Sequence, residues 1–236
     1  MGRMERRDFV KFCAASALAS AGPGALAADS QPRLYARAKL VNEKGSPILA
    51  KAIPANQNLI FHYPFAATPC FLLNLGRPAA ASVQLKTAGN ETYQWQGGVG
   101  AGRSVVAYSA ICAHKLSYPT RDISFISFRT EKSARNRHAA VIHCCSEHSQ
   151  YDPAQGARVV AGPAPQPLAA ILLEYDAGRD TLAAVGTLGA EQFDAFFRKY
   201  EFKLALEYGE GKARRPVGGA TVVKELAQYC RQTIQC

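Results

Sequence analysis

Apolar and polar positions along this chain fall into short runs broken by turn residues. Leu34 to Val41 alternates weakly, as a half-buried strand does. Leu59–Pro64, Cys70–Leu75, Ser104–Ser109, Ile123–Phe128, Ala140–His143, Ile171–Asp176 and Thr181–Val185 are rich in β-branched, aromatic or other apolar residues. Gly45-Ser46-Pro47, the glycine-rich Gly97–Gly102, Tyr151–Gly156 and Ala177-Gly178-Arg179 separate them as turns, the last a hairpin signal. The pattern predicts an all-β body, an antiparallel sandwich or barrel, over residues 28–188. The pattern changes after residue 188. Phe193, Phe196, Phe197 and Tyr200 recur at helical spacing, whereas Phe202, Leu204, Leu206 and Tyr208 alternate onto one face. Gly209 to Gly219 is glycine-rich and basic, and Thr221 to Gln232 reads as a second helix. Residues 189–236 therefore form a partly helical C-terminal extension, either packed on the β body or reaching for a partner.

The 236 residues include 28 Lys and Arg against 18 Asp and Glu, and about half are apolar. That is enough for a sizeable core, and no apolar run is long enough for an ordinary membrane span. Glu5-Arg6-Arg7-Asp8-Phe9-Val10-Lys11, an apolar stretch from Phe12 to Ala21 and Ala25-Leu26-Ala27 have the layout of a twin-arginine export signal. Residues 1–27 are thus expected to direct the folded chain to the periplasm, or to anchor it peripherally if uncleaved. Their removal leaves 24 basic against 16 acidic residues, a balance of +8. Such a balance suits an acidic docking surface or an anionic membrane surface. The basic residues are scattered and match no nucleic-acid motif, so nucleic acid is not an expected partner. Gly97–Gly102 lacks the Lys-Ser/Thr of a phosphate loop. No hydrolytic triad is evident.

The chemistry lies in two runs, Cys112-Ala113-His114 and Cys145-Ser146-Glu147-His148, which read C-x-H and C-x-x-H. Two thiolates and two imidazoles make a donor set of mixed hardness. Each run contributes one of each, so two hairpin loops can give one ligand apiece to each of two irons, the Rieske [2Fe–2S] arrangement. A structural zinc in a non-redox assembly module is the alternative, although zinc fingers usually pair Cys with Cys and His with His. Cys144 competes with Cys145, but the C-x-x-H spacing favours Cys145. Of the remaining cysteines outside the signal, Cys230 can bridge to Cys236 and Cys70 can reach Cys144, though other pairings stay open. His62, His138 and His143 read as ordinary strand or loop residues.

With Ser109–His114, Cys145–His148 and the proline-rich Gly162-Pro163-Ala164-Pro165, the chain resembles Rieske proteins. Tyr63-Pro64, Thr68-Pro69-Cys70, Gly97–Gly100, Val106–Ser109 and Leu173–Asp176 are similar to segments of the arsenite oxidase small subunit. The resemblance spans roughly residues 50–188. It implies a Rieske-type β sandwich or barrel with a cluster-binding subdomain, in which Cys112 and Cys145 hold one iron and His114 and His148 the other. It also implies electron transfer beside a larger, molybdopterin-containing catalytic subunit, with a cytochrome c or similar acceptor. The iron–sulfur subunit of a quinol-oxidising cytochrome bc-type complex is the second electron-transfer reading.

Three departures from the family matter. The positions that often carry a disulfide between the two loops hold Ser117 and Glu147. The run after His148 is one residue shorter than usual, which unsettles Ser149 and Tyr151 as hydroxyl donors to sulfur. Thirty residues separate His114 from Cys145, a long gap for the family. Glu147, if it points inward, adds negative charge and sets the expected potential low in the Rieske range of about −150 to +300 mV.

Overall fold

A computed structural model describes residues 30–135 and 137–236. The expected export signal at 1–27 lies outside the described residues. The first part of the chain forms β1 (Arg33–Val41), β2 (Leu59–His62), β3 (Pro69–Asn74), β4 (Val83–Lys86), β5 (Thr92–Trp95) and β6 (Val105–Ser109). The middle forms β7 (Ile123–Ser124), β8 (Ile126–Arg129), β9 (Val141–Cys144), β10 (Ser149–Asp152) and β11 (Arg158–Ala161). Then follow β12 (Ala170–Asp176), β13 (Thr181–Leu188), the helices α1 (Phe193–Lys199) and α2 (Glu201–Tyr208), the strands β14 (Gly219–Val222) and β15 (Lys224–Glu225), the short α3 (Leu226–Tyr229) and β16 (Gln232–Thr233).

The fold is all-β. Eight strands make one sheet in the order β14-β1-β13-β12-β6-β3-β2-β15. Its two edge strands, β14 and β15, are joined only through Val223. The sheet therefore curls until its edges meet, with Thr221 Oγ1 donating to the carbonyl of His62 at 2.9 Å. A second sheet, β11-β10-β9-β8, and the β4–β5 hairpin pack against its outer face.

Burial explains the near-continuous apolar runs. On β3, Cys70 and Leu72 face the interior of the curled sheet, and Phe71 and Leu73 face the second layer. On β6, Val105 and Ala107 face inward and Val106 and Tyr108 outward. Successive side chains point to opposite faces, so a strand covered on both sides must be apolar throughout.

The extension departs from its sequence reading in two places. The alternating run 201–208 is helical: Leu204 is buried against α1, while Phe202 and Leu206, four apart, share an exposed face. The second helix expected over 221–232 shrinks to Leu226–Tyr229, because 219–225 are taken up closing the large sheet. The extension is therefore part of the scaffold. Among the described residues no helix is long and apolar enough to cross a membrane.

The two-sided burial of β3 gives a direct check. Phe71→Ala should lower unfolding stability by about 3–5 kcal/mol, whereas Phe202→Ala should stay within about 0.5 kcal/mol of the parent, as read from urea midpoints.

Candidate metal centre

The first candidate loop follows β6. It is tied by the Cys112 N–H to the Ser117 carbonyl at 2.8 Å and by the Leu116 N–H to the Cys112 carbonyl at 3.0 Å. Leu116 takes a left-handed φ of 61° to close it. The second loop is the β9–β10 hairpin, in which Ser149 pairs across from Cys144 and Tyr151 from Ile142. The Cys145 N–H donates to the carbonyl of Phe125, the residue that interrupts the apolar run 123–128 to separate β7 from β8.

This register decides which cysteine faces the first loop. Cross-strand partners share a face, and neighbours along a strand do not. Ile142, Cys144 and Tyr151 all pack in the core cluster that contains Cys112. Cys145 falls on the other side, where its Sγ is bonded to Cys236 with the Cα atoms 5.7 Å apart. The expectation that Cys145 is a ligand is therefore corrected: Cys144 is the thiol that meets Cys112, and Cys145 is a disulfide partner. The expected bridges are corrected too. Cys70 remains a thiol inside the curled sheet, its Sγ 3.0 Å from the Tyr63 carbonyl, on the opposite face from Cys144. Cys230 is a buried thiol, its pKa pushed up to about 12 by burial.

Cys112 and Cys144 form a coupled pair. The contact with Cys144 brings the Cys112 thiol down to about 6 against the opposing effect of burial, with help from Tyr151 and the backbone N–H groups of His114 and Lys115. The same contact and burial drive Cys144 upward. Two sulfurs in contact move each other's proton affinity in opposite directions, and a bound cation would take both as thiolates. Tyr151 is fully buried, and its hydroxyl accepts the Ala113 N–H at 3.1 Å. That leaves its proton for Cys112 Sγ, 3.2 Å away.

His114 and His148 are partly exposed, yet each keeps its Nδ1 buried with no hydrogen-bond partner, as does the buried Ser149 Oγ. An unsatisfied buried polar atom costs about 1–3 kcal/mol. His114 Nδ1 and Ser149 Oγ belong to the segments that carry Cys112 and Cys144, whereas the His148 ring lies against His143, with ring centroids 5.8 Å apart; together these residue types offer two sulfurs, two imidazole nitrogens and a hydroxyl donor. They do not fit one zinc. A tetrahedral ion with bonds of 2.0–2.3 Å draws its donor atoms within roughly 4 Å of one another. Among the described residues, the group whose donor atoms all lie within 4.8 Å is His143, Cys145 and Cys236, and no three of Cys112, His114, Cys144 and His148 qualify. In that other group the two sulfurs are already bonded to each other, so it does not supply two thiolates.

The remaining candidates frame the loops. Glu147 points to Lys115 on the facing loop, Oε1 to Nζ 2.8 Å, and this pairing lowers its pKa. Gly162, at φ +85°, lies under the second loop, where an added Cβ would stand 2.5 Å from the His148 carbonyl oxygen and 2.6 Å from the Ser149 Cα. Pro163 beside it is exposed. His143 is buried on the Cys145 side, its pKa lowered to about 4, chiefly by burial. Sequence reasoning missed Gln192 and Lys199 of the extension, which donate to the carbonyls of Ala113 and Lys115 at 2.9 and 2.6 Å. They sit in a helical pattern that carries no sign of what their polar ends reach.

Gly162→Ala should displace His148 and Ser149 and lower stability by about 1–3 kcal/mol. Gly178→Ala, whose Cβ would find 3.4 Å of clearance, should leave the melting temperature within the error of calorimetry.

No known family profile matches the chain. Among solved structures it is similar to the soluble domain of the Rieske protein II (soxF) from Sulfolobus acidocaldarius, with 25% identity and a TM-score of 0.46 over 67% of this chain and 82% of that one.

Proposed function

We propose that Cys112, Cys144, His114 and His148 hold a Rieske-type [2Fe–2S] cluster and that the protein carries electrons for a larger partner. The observation that supports this most directly is the contact between the thiols of Cys112 and Cys144, on two loops that also carry His114 and His148 with buried, unpartnered Nδ1 atoms; no three of these four donors lie close enough together for a single ion. The sequence resemblance points the same way. Its two offsets cancel once Cys144 is the ligand. One residue is gained before His148 and one is lost after it, so Ser149 and Tyr151 return to register as hydroxyl donors.

Such a cluster, when bound, exchanges one electron at a time. The chain's own groups then set how readily. Tyr151 donates toward Cys112 Sγ and steadies the sulfur's negative charge. Ser149 has a buried hydroxyl to give. Glu147 is neutralised by Lys115, so it adds little net charge beside the loops. These features favour a higher potential than the acidic neighbour alone suggested. The rings of His114 and His148 are partly exposed, so the loops carry them at the edge of the protein.

In the fuller form of the proposal, the protein is exported folded, as the sequence layout of residues 1–27 suggests. It serves as the small subunit of an arsenite-oxidase-like oxidoreductase that passes electrons to a cytochrome c. Co-purification tests this: recovery with a molybdenum-containing subunit supports it, and recovery with a b-type cytochrome replaces it with the quinol-oxidising reading.

Cys112→Ser, Cys144→Ser, His114→Ala and His148→Ala should each abolish the Rieske-type electron paramagnetic resonance signal of the reduced protein. Cys145→Ser should keep it, and a lost signal there alone would restore Cys145 as the ligand. Tyr151→Phe should retain two irons per chain but shift the midpoint potential down. Losing about 1 kcal/mol of preference for the reduced state corresponds to roughly 45 mV for one electron.

A further inference from the structure

We infer that residues 189–236 are a two-pronged clamp that sets the positions of both cluster loops, with Gln192, Lys199 and Cys236 as its positioning residues. The inference builds on the cluster reading above but concerns groups outside the donor set.

The first prong is α1. Gln192 Nε2 donates to the carbonyl of Ala113, between the two ligands of the first loop, and Lys199 Nζ to that of Lys115, just beyond them. From the same segment, Phe196 and Tyr200 stack edge-on against Tyr118, each with ring centroids 4.9 Å from it. Ile111 and Leu116 pack into the same cluster as Phe193, Phe196 and Phe197. The first loop is thus gripped by polar bonds at its tip and by apolar contact at its base.

The second prong is the segment around β16. Its backbone runs beside residues 121–124, with Arg231 N–H to the Arg121 carbonyl, Gln232 N–H to Asp122 and Ile234 N–H to Ser124, at 2.8–3.0 Å. Arg231 also pairs with Asp122 at 3.1 Å. This track delivers Cys236 to Cys145, the residue directly after the ligand Cys144. Since β14 and β15 lie between the prongs and close the large sheet, neither prong can shift without disturbing the scaffold.

A clamp from outside is needed because the loops have no covalent link to each other. At their tips the two loops meet through the exposed Lys115–Glu147 pair, and such pairs contribute little; Tyr151, at the base of the hairpin, ties Ala113 and Cys112 but leaves residues 145–148 and 115–117 to be held from outside. The disulfide joins positions 91 residues apart, so it fixes the second loop to a distant part of the chain rather than to its neighbour.

Hydrogen exchange on the full chain, with and without iron, tests this directly. Cys236→Ser should speed exchange at residues 145–148 by about tenfold or more and leave 112–117 unchanged. Lys199→Met should do the reverse, and Lys199→Arg, which keeps a donor, should restore protection. Loaded protein should release iron to a chelator several-fold faster in Cys236→Ser and Lys199→Met, with altered g-values, at a temperature where circular dichroism shows both folded. Unchanged loop exchange in both variants, or equal loosening of both loops by either one, overturns the clamp. Prong-specific loosening in a parent chain that never shows a Rieske-type signal upholds the clamp and removes the cluster.

Discussion

The pairing of β9 with β10 governs the rest of the site. Cys144 opposite Ser149 and Ile142 opposite Tyr151 put a thiol, a hydroxyl and a phenol on one face of a hairpin. The face is set by packing: Ile142 and Tyr151 are fully buried in the cluster that holds Cys112, and a one-residue slip would put the polar ends of His143 and Gln150 there in their place. An unsatisfied polar group in such a cluster costs about 1–3 kcal/mol, so the slip is resisted by several kcal/mol. Once that register holds, Cys144 must face Cys112 and Cys145 must face away. Two adjacent cysteines thereby acquire unrelated surroundings, one facing Cys112 and one bonded to the extension.

The large sheet makes this arrangement rigid. β3 and β6 are packed on both faces, so the loop leaving β6 starts from a strand with little freedom. Tyr108, fully buried on β6, donates to the carbonyl of Pro153 at 2.7 Å and ties that strand to the turn after β10. The two loops are consequently referenced to one another through the core. Tyr151 then spans the gap at the centre, holding Ala113 N–H and Cys112 Sγ with one oxygen.

Much of the fold was legible because the strand runs are short, apolar and bounded by strong turn residues. The all-β class, the hairpin at 177–179 and the strands leading into both loops follow from that pattern, whereas Tyr151 and Asp152, read as the start of a turn, belong to β10. The β4–β5 hairpin was not, since Val83, Leu85, Tyr93 and Trp95 alternate with exposed polar residues in a stretch of only four per strand. The fate of 201–208 and 221–232 depended on tertiary context: α2 exposes half of its apolar residues, and β14 and β15 exist because two sheet edges need partners. At the site, the two loops that carry the Cys and His residues were readable, and Tyr151 and Gly162 lie beside them in the structure. The choice between Cys144 and Cys145 was not, because motif spacing counts residues along the chain whereas ligation depends on which face of a strand they occupy. The shortened run after His148 was the available signal, and it becomes consistent only when the ligand moves back by one residue. The disulfide to Cys236 had no local signature at all, with its partners 91 residues apart.

The charge balance around the loops follows from the same geometry. Glu147 beside His148 suggested a negative neighbour that disfavours an added electron. In the folded chain its carboxylate is about a third exposed and sits on Lys115, which is itself more than half exposed. Water screens both groups, and the pair presents a dipole rather than a net charge to the centre. Tyr151, by contrast, is buried, and its hydrogen bond acts where screening is weak. A buried neutral donor aimed at sulfur therefore outweighs a solvated carboxylate nearby, and sequence proximity to the ligand is a poor guide to electrostatic influence. The influence of a group on this centre is set by how much water lies between them, which the register of β9 and β10 decides.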